Sequence, residues 1–161
     1  MTEREADKKA QTPDQPKPSS ELKRLDALVG EWRTEWHVTS DDGKPLTLHG
    51  VDTYEWMPGE FFLVHHMYVR MGDSDYNVMQ VIGDYDASSQ TYSTRSFDSK
   101  GVEISMHARV KDDNSWMFEG EKQRARLVLS DDDQSMTYHW EQLSDGSDWQ
   151  PWMAMQLTKE T

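Results

Sequence analysis

The sequence predicts an all-β fold: one antiparallel up-and-down barrel of about ten short strands, with a short N-terminal helix as a plug. Three observations predict it. From Glu31 onward the apolar residues recur with a period of two, turn residues interrupt that pattern at short intervals, and a single three-residue leucine spacing comes before it. A meander of that many strands removes its exposed edges most simply by closing on itself.

Taking the elements in order, residues 1–18 mix Glu, Asp, Lys and Gln with Pro13, Pro16 and Pro18 and read as a disordered tail. Residues 19–161 are left as a single barrel domain, since 161 residues give no room for a second. Ser19 or Ser20 caps a short helix carrying Leu22, Leu25 and Leu28, and Gly30 suits its end. In the first strand Trp32, Thr34, Trp36 and Val38 share one face. Asp41-Asp42-Gly43 turns the chain into a second run with Leu46, Leu48, Gly50, Asp52, Tyr54 and Trp56 aligned. Pro58-Gly59 fits a tight type II turn.

The third run aligns Phe61, Leu63, His65, Met67, Val69 and Met71, and the fourth aligns Tyr76, Val78, Gln80 and Ile82. Tyr92, Thr94 and Ser96 mark a fifth, and Ser99-Lys100-Gly101 resembles a three-residue hairpin loop with Gly in the left-handed position. Val102, Ile104, Met106, Ala108 and Val110 alternate most cleanly, followed by Trp116 and Phe118, then Ala125, Leu127 and Leu129. Met136, Tyr138 and Trp140 precede an Asp145-Gly146 turn, and Pro151, Met153, Met155 and Leu157 complete the series.

Composition narrows the function classes. Only 35% of the residues are hydrophobic, but 7 Trp, 10 Met, 6 Tyr and 4 Phe put the apolar surface into large, soft side chains suited to a few filled strand faces. A net charge of −13 repels polyanions, which argues against nucleic acid and anionic membranes as partners. With 0 Cys there is no disulfide framework and no thiolate metal site. No apolar stretch has the length of a signal peptide core or a membrane span, so a cytoplasmic location is expected.

Several short motifs add to this pattern: Gly30-Glu31-Trp32, Pro58-Gly59-Glu60-Phe61, Gly83-Asp84-Tyr85-Asp86, Asp98-Ser99-Lys100-Gly101, and the closing Asp145-Gly146-Ser147-Asp148-Trp149-Gln150-Pro151. From Leu25 to Lys159 the chain resembles a bacterial family of domains of unknown function with calycin-like barrels, the group that holds lipocalins, fatty-acid-binding proteins and nitrobindins. The resemblance implies the fold and carries no activity with it, because these are turn and packing positions. Nitrobindin-like relatives imply haem held by a His near the C-terminus. Here no His follows His139, the last strand offers Met153 and Met155, and alternation with Met136, Tyr138 and Trp140 sends His139 outward. No cofactor is expected.

The sharpest chemical lead is hairpin arithmetic. A Pro58-Gly59 turn pairs Met57 with Glu60, Trp56 with Phe61, Tyr54 with Leu63 and Asp52 with His65. If both faces line the interior, a carboxylate meets an imidazole in low dielectric, the outline of an acid/base site, with His65 and Asp52 as the catalytic candidates. The same pair equally suits anchoring a ligand head group, or simple structural self-satisfaction. A β-bulge at Gly50 would instead turn Asp52 outward.

Trp36, Tyr54, Met67, Gln80, Thr94, Met106, Tyr138 and Met153 fall on the same inner faces and, with Asp52 and His65, form the expected ligand-binding set. His65 and His66 point to opposite faces of a strand and cannot chelate one metal together. His37, His49, His107 and His139 alternate against the apolar sets and are expected at the surface, as are Arg124 and Arg126. Asp131-Asp132-Asp133 lacks the Gly and distal Glu of a calcium loop and reads as a turn, so no metal site is expected.

The leading expectation is non-covalent binding of a small hydrophobic or amphipathic molecule inside the barrel. An isomerase or cyclase using His65 with Asp52 is the enzyme alternative. A protein-interaction module stays open because Trp149 and Trp152 cannot both face inward in a regular strand, and so does a homodimer.

Overall fold

The structure is a computed structural model that describes residues 16–111, 115–145 and 148–160. A 3-10 segment, Leu22–Leu28, leads into ten strands: β1 Gly30–Thr39, β2 Pro45–Trp56, β3 Phe62–Met71, β4 Ser74–Asp86, β5 Thr91–Asp98, β6 Glu103–Val110, β7 Ser115–Glu119, β8 Gln123–Leu129, β9 Ser135–Leu143 and β10 Trp149–Lys159. Each strand pairs antiparallel with the next, and β10 pairs back onto β1, closing the barrel. The tail expected over residues 1–18 lies almost wholly outside the described residues, as does Gly146 of the last expected turn.

The N-terminal segment winds as a 3-10 helix, not as the serine-capped helix expected. Its cap residue is Glu21, which makes no side-chain capping bond, and Val29, already extended, ends it one residue before Gly30 opens β1. The leucine spacing explains the difference, because three residues per turn stack Leu22, Leu25 and Leu28 on one edge. All three are buried in the barrel core. The plug is also stitched to the rim. Trp32 Nε1 donates to the Leu28 carbonyl at 2.9 Å, Trp56 Nε1 donates to Asp26 Oδ1 at 2.6 Å, and the Tyr92 hydroxyl donates to the Glu21 carbonyl.

Strand parity follows the expectation and register does not. The Pro58-Gly59 turn forms, with Glu60 N–H bonded to the Met57 carbonyl at 2.8 Å and Gly59 at φ 99°. The strands, however, close two residues later: Met57 N–H bonds the Phe62 carbonyl, which leaves Glu60 (φ 61°) and Phe61 in the loop. A bare type II turn splays the right-twisted strands of a hairpin, and the extra left-handed residue restores their alignment. The actual pairs are therefore Trp56 with Leu63, Tyr54 with His65 and Asp52 with Met67. A two-residue shift keeps every side chain on its face. Asp52 stays inside, because β2 runs past Gly50 with no bulge in either neighbouring ladder. Gly50 is required there for another reason: a Cβ would sit 2.1 Å from the Tyr68 carbonyl oxygen.

The remaining departures lie at strand ends, where the wall no longer encloses the alternating side chains. Leu46, Met71 and Val102, expected on inner faces, are exposed, and Val102 precedes β6. Phe61 is half-buried beside the core from its loop. The Ser99-Lys100-Gly101 loop is as expected, with Gly101 at φ 83° and the Asp98 carboxylate accepting the Lys100 and Val102 N–H groups at 2.9 Å. In β10 the ladder shifts between Pro151 and Met153, so Trp152 is an extra residue whose ring meets Trp140 edge-on at 6.3 Å. Trp149 stays outside beneath the Arg124 guanidinium, 4.2 Å from its ring centre. A bulge thus resolves the conflict between Trp149 and Trp152.

Inward side chains grade along the barrel axis. At the plugged end Trp32, Leu63, Ile82, Tyr92, Leu127 and Leu157 are wholly buried, whereas at the opposite rim Val38, Leu48, Tyr76, Ser96, Ile104, Trp140 and Met153 are only half-buried. Among the described residues the plug seals one end, and the inward side chains at the other rim are the more exposed. If the plug is docked as described, Leu25→Ala removes a wholly buried side chain and should lower the unfolding free energy by about 2–5 kcal/mol in urea denaturation. A change below about 1 kcal/mol would mean that the segment is not part of the core.

Candidate functional site

Between the two ends a polar chain crosses the interior. Thr34 Oγ1 donates to Asp52 Oδ1 at 2.5 Å, Asp52 Oδ2 lies 2.6 Å from His65 Nε2, and His65 Nδ1 lies 2.9 Å from Gln80 Oε1. The four side chains come from β1 to β4 and are all buried. Asp52 and His65 meet diagonally, one inward step away from the directly opposed pairing that a two-residue hairpin would produce. Below the imidazole lies the Tyr54 ring, stacked at 3.9 Å and 8° from parallel. The Tyr54 hydroxyl then bonds Tyr138 across the barrel at 2.7 Å.

Burial suits this arrangement only because its members satisfy one another. Both carboxylate oxygens of Asp52 are taken, as are both nitrogens of His65. Each ring nitrogen of His65 thus has a side-chain partner, Asp52 at Nε2 and Gln80 at Nδ1, and the two contacts fix the orientation of the imidazole. A general base needs a lone pair aimed at the proton it removes. His65 has none to offer while these bonds stand.

Burial pushes the Tyr54 hydroxyl far above its ordinary titration range, helped by the nearby Tyr138 and Asp52. Tyr138 is raised as well, first by burial and then by Asp52, against a lowering by the bond from Tyr54. Half-buried Tyr76 rises for the same first reason, reinforced by its hydroxyl's 2.8 Å bond to Asp98.

All the expected ligand-binding positions point inward, but they divide into two groups. Asp52, Tyr54, His65, Gln80 and Tyr138 belong to the cross-barrel chain. Trp36, Met67, Thr94, Met106 and Met153 lie elsewhere on the wall, with Thr94 directly opposite Met106 and Met153 directly opposite Trp140. Near the open end the Trp36 ring meets Tyr76 edge-on at 6.3 Å. Three buried side-chain atoms have no hydrogen-bond partner among the described residues: Trp36 Nε1, Trp140 Nε1, and Thr94 Oγ1, which lies opposite Ile82 of β4. Thr34, Tyr76 and Trp140 were not singled out from sequence. Each was legible as an inward position by parity, but nothing in the sequence separated it from ordinary core.

The histidines outside the chain, His37, His49, His66, His107 and His139, are exposed. Arg124 is half-buried and bonds Glu141 at 2.7 Å, while Arg126 is exposed. Asp132 accepts from Ser130 Oγ and Gln134 N–H, which makes the acidic run a turn. Among the described residues no group of three or more His, Asp or Glu could hold a metal ion, and no helix is long and apolar enough to cross a membrane. A separate cleft of about 370 Å³ lies on the outer wall of β2 to β5, flanked by Val51, Tyr68, Met79 and Phe97.

Two outcomes follow from the buried chain. Removing one member of the pair strands the other in low dielectric, so His65→Ala should cost about 3–5 kcal/mol. In a double-mutant cycle with Asp52→Ala the two losses should fall short of additivity by about 0.5–3 kcal/mol; additive losses would mean that the side chains do not interact. The tyrosines set an alkaline limit. Their folded pKa values lie above the ordinary 10.0, so the stability they confer is complete below pH 10 and drains away as pH climbs past it, when the unfolded chain ionises first. Tyrosinate absorbance from Tyr54 and Tyr138 should appear only together with loss of the barrel's circular dichroism. Ionisation of both in a folded protein would contradict this.

Comparison with known proteins agrees with the architecture. Rv2717c from M. tuberculosis has a crystal structure similar to this one at a TM-score of 0.66 and 11% sequence identity, over 89% of this chain and 99% of that one. A redesigned β-barrel aligns at a TM-score of 0.48 and 12% identity, over 89% of this chain and 100% of that one. At such identities the first likeness speaks to fold alone. No curated protein matches the sequence. Over residues 17–159 the sequence matches the model of a family described as protein of unknown function, DUF1579, and the chain belongs to that family.

Proposed function

We propose that the protein binds a small amphipathic molecule non-covalently in the accessible end of the barrel, above the Asp52–His65 chain. The reading rests on one observation: Trp36 Nε1 and Trp140 Nε1, on inward positions of β1 and β9, are buried and without hydrogen-bond partners among the described residues. A buried donor left unmet costs about 1–3 kcal/mol, and a bound molecule that brings an acceptor would remove that cost. The walls around them are aromatic rings and thioethers, from Tyr76, Met67, Met106 and Met153, which adapt to a ligand without dictating one shape. The cross-barrel chain beneath them serves as a rigid polar floor. The enzyme reading has less support, because its base, His65, has both nitrogens engaged.

The test is titration with an uncharged solvatochromic dye such as Nile red. Saturable binding near one dye per chain is expected, reduced at least about tenfold by Leu48→Trp, which fills the half-buried rim from β2. Met79→Ser, on the outer cleft, should leave it unchanged. The reverse pattern would move the site to the outer wall, and no binding at all would remove the proposal.

A further inference from the structure

We infer that the molecule taken by this barrel is uncharged and ring-bearing, and presents a carbonyl-type oxygen to the indole N–H groups of Trp36 and Trp140. The inference rests on the binding reading above and deepens it. Trp36 on β1 and Trp140 on β9 are separated by β10 alone: Trp36 opposes Met155, Met155 opposes Tyr138, and Trp140 is the next inward residue along β9. Both Nε1 atoms are buried and unpartnered among the described residues. An indole nitrogen donates and cannot accept, so whatever satisfies it brings an acceptor. A ligand whose polar group were an ammonium or other pure donor would leave both indoles unmet.

Charge decides which acceptor. Among the described residues no Lys or Arg is buried; the half-buried ones are Arg124, bonded to Glu141 outside the wall, and Lys159, whose Nζ lies over Trp32 at the plugged end. The one interior group able to carry positive charge, His65, is already held by Asp52. A carboxylate entering this interior would lose its hydration with no cation to replace it, and would approach a protein of net charge −13. A neutral oxygen acceptor meets the two N–H groups without that cost. The edge-on contact of Trp36 with Tyr76 and of Trp140 with Trp152 frames the region with aromatic surfaces, which favours a flat unsaturated body over a flexible alkyl chain.

Three compounds on one ring skeleton separate these claims: fluorenone, fluorene, and fluorene carboxylate, each titrated by calorimetry and by proton–nitrogen correlation spectra of the 7 indole N–H groups. Fluorenone should bind at least about tenfold more tightly than either of the others, the difference one well-made hydrogen bond supplies. It should also move two indole signals downfield, those lost in Trp36→Phe and in Trp140→Phe. The double variant, which keeps the rings and removes the donors, should bind fluorene as before and lose the preference for fluorenone. Equal binding of fluorene and fluorenone would overturn the acceptor inference while leaving the binding reading intact. Tightest binding by the carboxylate would overturn the claim of neutrality, and displacement of the dye by a saturated alkyl amide but by none of the three would overturn the ring-bearing class. If neither the dye nor any of the three binds, the binding reading itself fails. Should the double variant fail to fold, the wild-type indole shifts decide alone.

Discussion

Closure of β10 onto β1 is the constraint on which the rest of the molecule depends. With both neighbours bonded, β1 cannot slip by one residue without turning Trp32, Thr34 and Trp36 to solvent and Glu31, Arg33 and Glu35 into the core. The same locking passes around the ring from strand to strand. It forces any polar residue on an inward position to find its partner among other inward residues, or in a guest. Asp52 is the clearest case. Its carboxylate could not be tolerated behind a closed wall unless Thr34 and His65 came to it from the strands on either side.

That constraint explains which parts of the fold were legible in the sequence. Parity was readable almost everywhere, because a half-buried strand writes its facing directly into alternation, as in Ile104, Met106 and Ala108. Register was not, since it depends on loop geometry that alternation does not encode. The Pro58-Gly59 loop is instructive. Proline holds φ near −65°, whereas the primed turns that close two-residue hairpins need a positive φ at that position, so Pro58 itself argued for a longer loop. The N-terminal segment misled for a related reason: a repeat of three is compatible with one turn of either helix type, and only the buried Leu22–Leu25–Leu28 edge decides between them.

The buried pair was found despite the wrong register because any even shift preserves the face, and residues two apart along a strand still lie within reach of long side chains. What the sequence did not carry was the saturation of that pair. Whether His65 keeps a free nitrogen depends on side-chain torsions in β1 and β4, where Thr34 and Gln80 happen to complete the chain. An Asp and a His facing each other in an apolar interior look like an acid/base site until their remaining valences are counted. Here each oxygen of Asp52 and each nitrogen of His65 has a side-chain partner.

Two polar sets inside one wall therefore differ in kind. The cross-barrel chain is complete: each acceptor of Asp52 and each nitrogen of His65 is matched by the chain's own atoms, and Tyr54 continues the contacts to Tyr138 on the far side. A complete network of this type rigidifies its surroundings and has little to gain from a guest. The indoles of Trp36 and Trp140 have no hydrogen-bond partner among the described residues, and they belong to the region where inward side chains pass from buried to half-buried. Trp is a costly way to fill a core if its N–H is left unmet, since Phe fills a similar space without the penalty. Trp32 and Trp56, at the plugged end, both have their N–H groups bonded by the plug. The contrast between indoles bonded at the plugged end and indoles unpartnered among the described residues toward the opposite rim gives the barrel a direction, and the first pair holds the plug in place.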